Sequence, residues 1–242
     1  MIRPIARDAA AQAEPSVHEF PLVLHSQAGG ITSGADGNLW FTEFNSNRIG
    51  MLTVSGFLTE FDVPTLMAGV DDIANGPDGA LWFTEGTANQ IGRITPDGSI
   101  TEFHTLQTPS HPRGIVAGPD GNLWVTEADG NRILQVTPSG AMTEFAGPTA
   151  NGRPVGITVG PDNNLWFTEF TSNQIGQITP DNPVTIVEFP LPSGDQGPSS
   201  IASGADGALW FTEFRANQIG RITVDGDVRE FPIPTANSQP MD

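Results

Sequence analysis

The chain has 242 residues, 37% of them hydrophobic, and a net charge of −18 from 28 acidic and 10 basic residues. That size bounds one domain with a substantial core, and the acidic balance leaves no cationic run that could displace counterions from nucleic acid, so no nucleic-acid partner is expected. All ten basic residues are Arg and cysteine is absent, which rules out a Schiff-base lysine, a disulfide frame, a thiolate nucleophile and a cysteine zinc site.

In chain order, residues 1–16 are expected to form a disordered segment. Ala11-Gln12-Ala13 has the small residues of a leader cleavage site, but Arg3, Arg7 and Asp8 precede it where an apolar run would be needed. A β-domain is expected over residues 17–242, opened by the outer-strand-like His18-Glu19-Phe20. No apolar stretch approaches the roughly 20 residues that cross a bilayer, so a soluble chain with no membrane partner is expected, on either side of a membrane.

Five times the sequence then writes Leu-Trp-Phe-Thr-Glu or a close variant, at Trp40, Trp82, Trp124, Trp166 and Trp210, spaced by 42, 42, 42 and 44 residues. A period of about 40 to 45 residues carrying four short strands is that of a propeller blade. A helical solenoid would need helix-period apolar stripes, whereas 28 Gly and 21 Pro punctuate these runs. The second unit shows the pattern. An inner strand near Asp72 to Asn75 meets the turn Gly76-Pro77-Asp78-Gly79, and Leu81 to Glu85 is the second strand. Gln90 to Thr95 is the third, Pro96-Asp97-Gly98 a hairpin turn, and Ile100 to Phe103 the outer strand. The fold class expected is therefore all-β: a β-propeller of four-stranded antiparallel blades, five of them complete.

A unit this small must stack on its neighbours, which gives the repeated Trp and Phe a packing role. Asn47, Asn89, Asn131, Asn173 and Asn217 recur at the turn into the third strand and are read as satisfying turn backbone groups. Asp36, Asp78, Asp120, Asp162 and Asp206 are read as turn residues, because they lack the clustered oxygen ligands of a calcium loop.

The run from Gly156 to Pro192 gives the unit almost whole: Gly-Ile-Thr-x-Gly-Pro-Asp-x-x-Leu-Trp-Phe-Thr-Glu, then Asn-Gln-Ile-Gly-x-Ile-Thr and Glu-Phe-x-x-Pro. This resembles the blade consensus of the virginiamycin B (streptogramin B) lyases. The resemblance runs from about Val17 to the end and implies a seven-bladed ring of which this chain is a truncation. It also implies linearisation of a streptogramin B lactone by C–O elimination, with Mg2+ near the central axis and a histidine as general base. A divalent cation would polarise the lactone carbonyl and acidify the neighbouring carbon, and the base would take the proton.

The family carries a Glu-Pro-His segment opening an inner strand and a further Glu fourteen residues after its His. By the repeat, that Glu falls on Glu43, Glu85, Glu127, Glu169 and Glu213, of which Glu127, Glu169 and Glu213 are the metal-ligand candidates. The His phase falls on Gly29, Asp71, Arg113, Val155 and Ser199, and the first Glu phase on Gln27, Gly69, His111, Arg153 and Gly197. None reproduces Glu-Pro-His, and the four histidines, His18, His25, His104 and His111, all miss the base position; no catalytic residue is assigned. Asp71, His111, Arg113 and Ser199, at the inner-strand openings, are the substrate-binding candidates, with Arg113 suited to orienting a carbonyl or carboxylate.

Two functions stay open: a magnesium-dependent streptogramin B lyase whose remaining blades lie elsewhere, and a propeller that binds a small molecule or peptide in its channel without chemistry. A calcium-dependent lactonase of the six-bladed gluconolactonase kind is a third reading, set back by the lack of an Asn-Asp complement to the strand-end Glu. Self-association through open blade edges is the expected consequence of truncation.

Overall fold

A computed structural model describes Glu19, Leu22 and residues 26–181, 183–194 and 196–241. The disordered segment expected over residues 1–16 lies outside these, as do His18, Phe20 and His25. Among the described residues there are twenty strands and no helix.

The strands form five antiparallel sheets, each a meander of four consecutive strands. Blade 1 is β1 (Ala28–Ser33), β2 (Leu39–Glu43), β3 (Arg48–Leu52) and β4 (Leu58–Asp62); blade 2 is β5 (Val70–Asn75), β6 (Leu81–Glu85), β7 (Gln90–Ile94) and β8 (Ile100–His104). Blade 3 is β9 (Pro112–Ala117), β10 (Leu123–Glu127), β11 (Arg132–Val136) and β12 (Met142–Ala146). Blade 4 is β13 (Pro154–Val159), β14 (Leu165–Glu169), β15 (Gln174–Thr179) and β16 (Thr185–Pro190), and blade 5 is β17 (Pro198–Ser203), β18 (Ala208–Glu213), β19 (Gln218–Thr223) and β20 (Val228–Pro232). The first strands are neighbours in turn, β1 beside β5, β5 beside β9, β9 beside β13 and β13 beside β17. That places them along a common axis with the sheets radiating outward, as in a β-propeller. No comparable packing joins β17 to β1 among the described residues.

The repeated residues each have an identifiable task. The second-strand Trp is fully buried in blades 1 to 4 and stacks on the fourth-strand Phe of its own sheet, with centroids 5.6 Å apart for Trp82 and Phe103. The turn Asp holds the indole in place: Asp78 Oδ1 accepts from Trp82 Nε1 at 3.1 Å and Oδ2 from Arg93 Nε at 2.7 Å. Burial pushes the Asp78 carboxyl up, but these bonds outweigh it and hold it below the usual carboxylate value. The turn reading of the Asp series thus holds, and a Trp clamp is added to it.

The Thr of Leu-Trp-Phe-Thr-Glu joins one blade to the next. Each inner strand slips register after its first residue, as between Val70↔Glu85 and Ile73↔Phe83, and the bulge frees backbone groups. Thr84 Oγ1 accepts from Asp72 N at 3.1 Å and donates to the Arg113 carbonyl of blade 3 at 2.7 Å. Thr42, Thr126 and Thr168 donate in the same way to Asp71, Val155 and Ser199. Thr212 donates to the Met241 carbonyl at 3.1 Å, so the last described residues lie in the register of a further inner strand.

The recurrent Asn is a second strap between blades. Asn89 takes a left-handed φ of 56°, and its Oδ1 accepts from Ser110 N at 2.7 Å and His111 N at 3.0 Å at the opening of blade 3. Asn47, Asn131, Asn173 and Asn217 hold Ala68, Arg153, Gln196 and Ser238 alike. Backbone satisfaction is confirmed as their role, but the groups satisfied belong to the segment leading into the next blade.

Candidate functional site at the channel mouth

The residues that open the inner strands share one backbone feature. Gln27, His111, Arg153 and Gln239 hold φ of 52°, 51°, 57° and 48°, at the phase where Gly69 and Gly197 have 69° and 61°. Glycine takes this left-handed conformation without strain and longer side chains do not. His111 and Arg153 are therefore held at a conformational cost, beside the axis.

The structure brings Asp71, His111 and Arg113 together. Arg113 Nε lies 3.1 Å from Asp71 Oδ2, across the seam between blades 2 and 3. Burial raises the Asp71 carboxyl above its ordinary value, against the pull of Arg113 and His111. His111 Nδ1 faces Asp129 Oδ2 at 3.2 Å. A Cβ on Gly86 would press on His111 Cδ2 at 2.9 Å, so the absence of a side chain at residue 86 makes room for the ring. Asp129 escaped the sequence reading because it sits two residues past a strand-end Glu, at a phase held by Asn45, Thr87, Thr171 and Arg215 in the other blades.

Ser199 and Arg113 reach a second feature, a cleft of about 150 Å³ lined also by Arg153, Val155, Phe170, Phe214 and Met241. Phe170 and Phe214 stand tilted at 46°, with centroids 6.3 Å apart. The Arg215 and Arg153 guanidinium carbons lie 4.5 Å and 5.8 Å from the Phe170 centroid. A sequence signal for this cleft existed. The residue after the strand-end Glu reads Phe44, Gly86, Ala128, Phe170 and Phe214, so this phase breaks the repeat while its neighbours keep it.

The strand-end Glu series takes a different form from a metal site. Glu43, Glu85, Glu127, Glu169 and Glu213 are all fully buried, each within its own blade. Neither carboxyl oxygen of Glu85, Glu127 or Glu213 has a hydrogen-bond partner among the described residues. Burial, with a fourth-strand carboxylate adding to it, pushes Glu85 up to about 8 and Glu127 and Glu213 to about 7. Glu169 also rises to about 7 through burial and Glu188, against a hydrogen bond from Ser172. Such groups are neutral acids over much of the pH range. Among the described residues no group of three or more His, Asp or Glu could hold a metal ion. Glu127, Glu169 and Glu213 are not brought together, and the donors present do not fit a magnesium site.

The profile of the virginiamycin B lyase family matches residues 6–242. The chain belongs to the virginiamycin B lyase family. The selenomethionine-substituted virginiamycin B lyase of Staphylococcus aureus is 40% identical, with a TM-score of 0.91 over 95% of this chain and 78% of that one. A streptogramin B lyase structure is 44% identical, with a TM-score of 0.87 over 92% of this chain and 74% of that one. A catalytically inactive histidine-to-alanine variant of the S. aureus lyase with quinupristin is 42% identical, with a TM-score of 0.86 over 89% and 73%. No curated protein sequence matches the chain.

Proposed function

We propose that this propeller recognises a streptogramin B-type cyclic depsipeptide at its channel mouth, through Asp71, His111, Arg113 and Ser199. Family membership carries the reading, together with the convergence of polar groups from blades 2, 3 and 5 beside the axis. Arg113, braced by Asp71, offers guanidinium hydrogens to an ester or amide carbonyl, and Ser199 a hydroxyl. Two phenylalanines supply an apolar wall beside them, the mixture typical of small-ligand sites.

The reaction expected for such a ligand is an elimination. A base takes the proton next to a carbonyl, the carbon–oxygen bond breaks, a double bond forms and the ester acid departs as a carboxylate. Magnesium, when bound, would polarise the carbonyl. The described residues supply recognition and not that metal's donors, and the base phase of the family motif is held by Gly29, Asp71, Arg113, Val155 and Ser199. The reading is therefore of a binding propeller with the lyase's ligand.

Calorimetric titration of the chain with quinupristin tests it. Binding that is unchanged by EDTA, with the ligand recovered intact by chromatography, is the expected result; absence of binding sinks the proposal. One observation favours a catalytic second reading. The Asp129 carboxylate lies 3.2 Å from His111 Nδ1, the contact by which a carboxylate orients a general-base histidine. Conversion to a linear isomer of unchanged mass, lost in His111→Ala, would establish it in place of the first.

A further inference from the structure

The cleft between blades 4 and 5 shares Arg113, Ser199 and the two phenylalanines with the site proposed for the depsipeptide, and its remaining residues give it a further specificity. Two guanidinium groups, Arg113 and Arg153, line it in a chain of net charge −18, and Arg215 stands over the Phe170 ring of its wall. Arg113 is compensated by Asp71. Arg153 has no carboxylate within ion-pair distance among the described residues, and it stands over the same Phe170 ring as Arg215. Arg153 is therefore the guanidinium of the cleft left to pair with an added anion.

The backbone supports the same conclusion. Arg153 keeps φ at 57° where blades 2 and 5 place Gly69 and Gly197, so an unstrained alternative occurs twice in the same chain. Gly197 is itself required by the cleft: a Cβ there would meet Arg215 Cγ at 3.0 Å and Phe170 Cε2 at 3.3 Å. The tilted Phe170 and Phe214 rings both line the cleft, and about 150 Å³ is of the size that holds one benzene-like ring.

We infer that this cleft is a binding site for an aromatic carboxylate, its ring packed against Phe170 and Phe214 and its carboxylate paired with Arg153. The guanidinium fork suits two parallel charge-assisted hydrogen bonds, which a neutral amide cannot match.

Chemical-shift titration of the chain with phenylacetate, phenylacetamide and cyclohexylacetate tests the assignment. Phenylacetate binds about ten-fold more tightly than phenylacetamide, the ratio expected for one charge-assisted contact, and more tightly than cyclohexylacetate. Arg153→Gly and Arg153→Gln both reduce phenylacetate to the level of the amide. Arg153→Gly also raises the melting temperature by relieving the left-handed strain, which separates lost binding from lost folding. Phe170→Leu removes the preference over cyclohexylacetate. Equal binding of acid and amide, unchanged binding in both Arg153 variants, or no phenylacetate binding at tens of millimolar overturns the inference. Failure of quinupristin to bind while phenylacetate still does would sink the depsipeptide reading alone.

Discussion

Thr84 Oγ1 donates to the Arg113 carbonyl at 2.7 Å while accepting from Asp72 N at 3.1 Å, so a single hydroxyl ties the inner strands of two blades. Thr84 is fully buried. Thr84→Val keeps the shape but leaves a carbonyl and an amide unpaired, at a cost of about 2–3 kcal/mol. Urea unfolding should show a lower midpoint with an unchanged slope. A midpoint that stays in place would mean that water reaches both groups.

Phe83 lies opposite Gly92 across β6 and β7, and its ring fills the space where a Cβ on Gly92 would stand. The same pair recurs as Phe41–Gly50, Phe167–Gly176 and Phe211–Gly220, whereas blade 3 has Val125 opposite Leu134. Gly92→Ala should therefore cost about 1–3 kcal/mol by overpacking. The double change Phe83→Val with Gly92→Leu should recover most of that loss, because the apolar volume moves from one strand to the other. A double mutant no more stable than Gly92→Ala would show that the two positions are independent.

That exchange shows what was legible beforehand. The strands of blade 2 were readable to within about two residues because Gly, Pro and Asp mark every turn and the repeat fixes the phase. The tasks of Thr84 and Asn89 were not, since their partners lie 29 and 21 residues onward in another sheet. The Glu series took its metal reading from the family register, and the burial of every copy within its own blade was not legible in the sequence. At the channel mouth the useful signal was departure from the repeat. It marked His111 and Arg113, but it did not single out Phe170, pair His111 with Asp129 or place Arg153 over Phe170.

The buried glutamates set the pH dependence of stability. Burial lifts their carboxyls in the folded state, to about 8 for Glu85 and about 7 for Glu127, Glu169 and Glu213, above the ordinary value of 4.5. Between these limits the folded state holds more protons than the unfolded one, so stability falls as pH rises from about 4.5 and levels off above about 8. Asp78, Asp120 and Asp162 act in the opposite sense. Burial raises each, hydrogen bonds from the Trp and its neighbours lower it further, and their contribution is lost as pH falls below about 3.8. Maximum stability is thus expected on the acid side of neutrality. Glu85→Gln should flatten the alkaline limb and stabilise the protein at pH 8 by an amount on the order of a few kcal/mol. Chemical denaturation from pH 4 to 9 checks this, and a wild-type curve that rises across the range would refute it.

Blade 2 packs Ile73, Leu81 and Phe83 against Trp40 and Ile49 of blade 1. In blade 1 the counterparts of Ile73 and Leu81 are Ile31 and Leu39, which are 63% and 42% exposed. At the other end of the arc, Trp210 and Phe231 border a hollow of about 490 Å³ with Arg221. These residues hold the positions that pack one blade on the next within the chain, and we propose that a second copy docks there head to tail. Because the halves differ, the contact is heterologous and does not stop at a dimer unless the rotation closes. The 242-residue polypeptide should therefore sediment as concentration-dependent oligomers. Ile31→Asp, which places a charge in the contact without touching the other interfaces, should shift it toward monomer. A wild-type chain that remains monomeric at every concentration would show that the exposed faces do not meet.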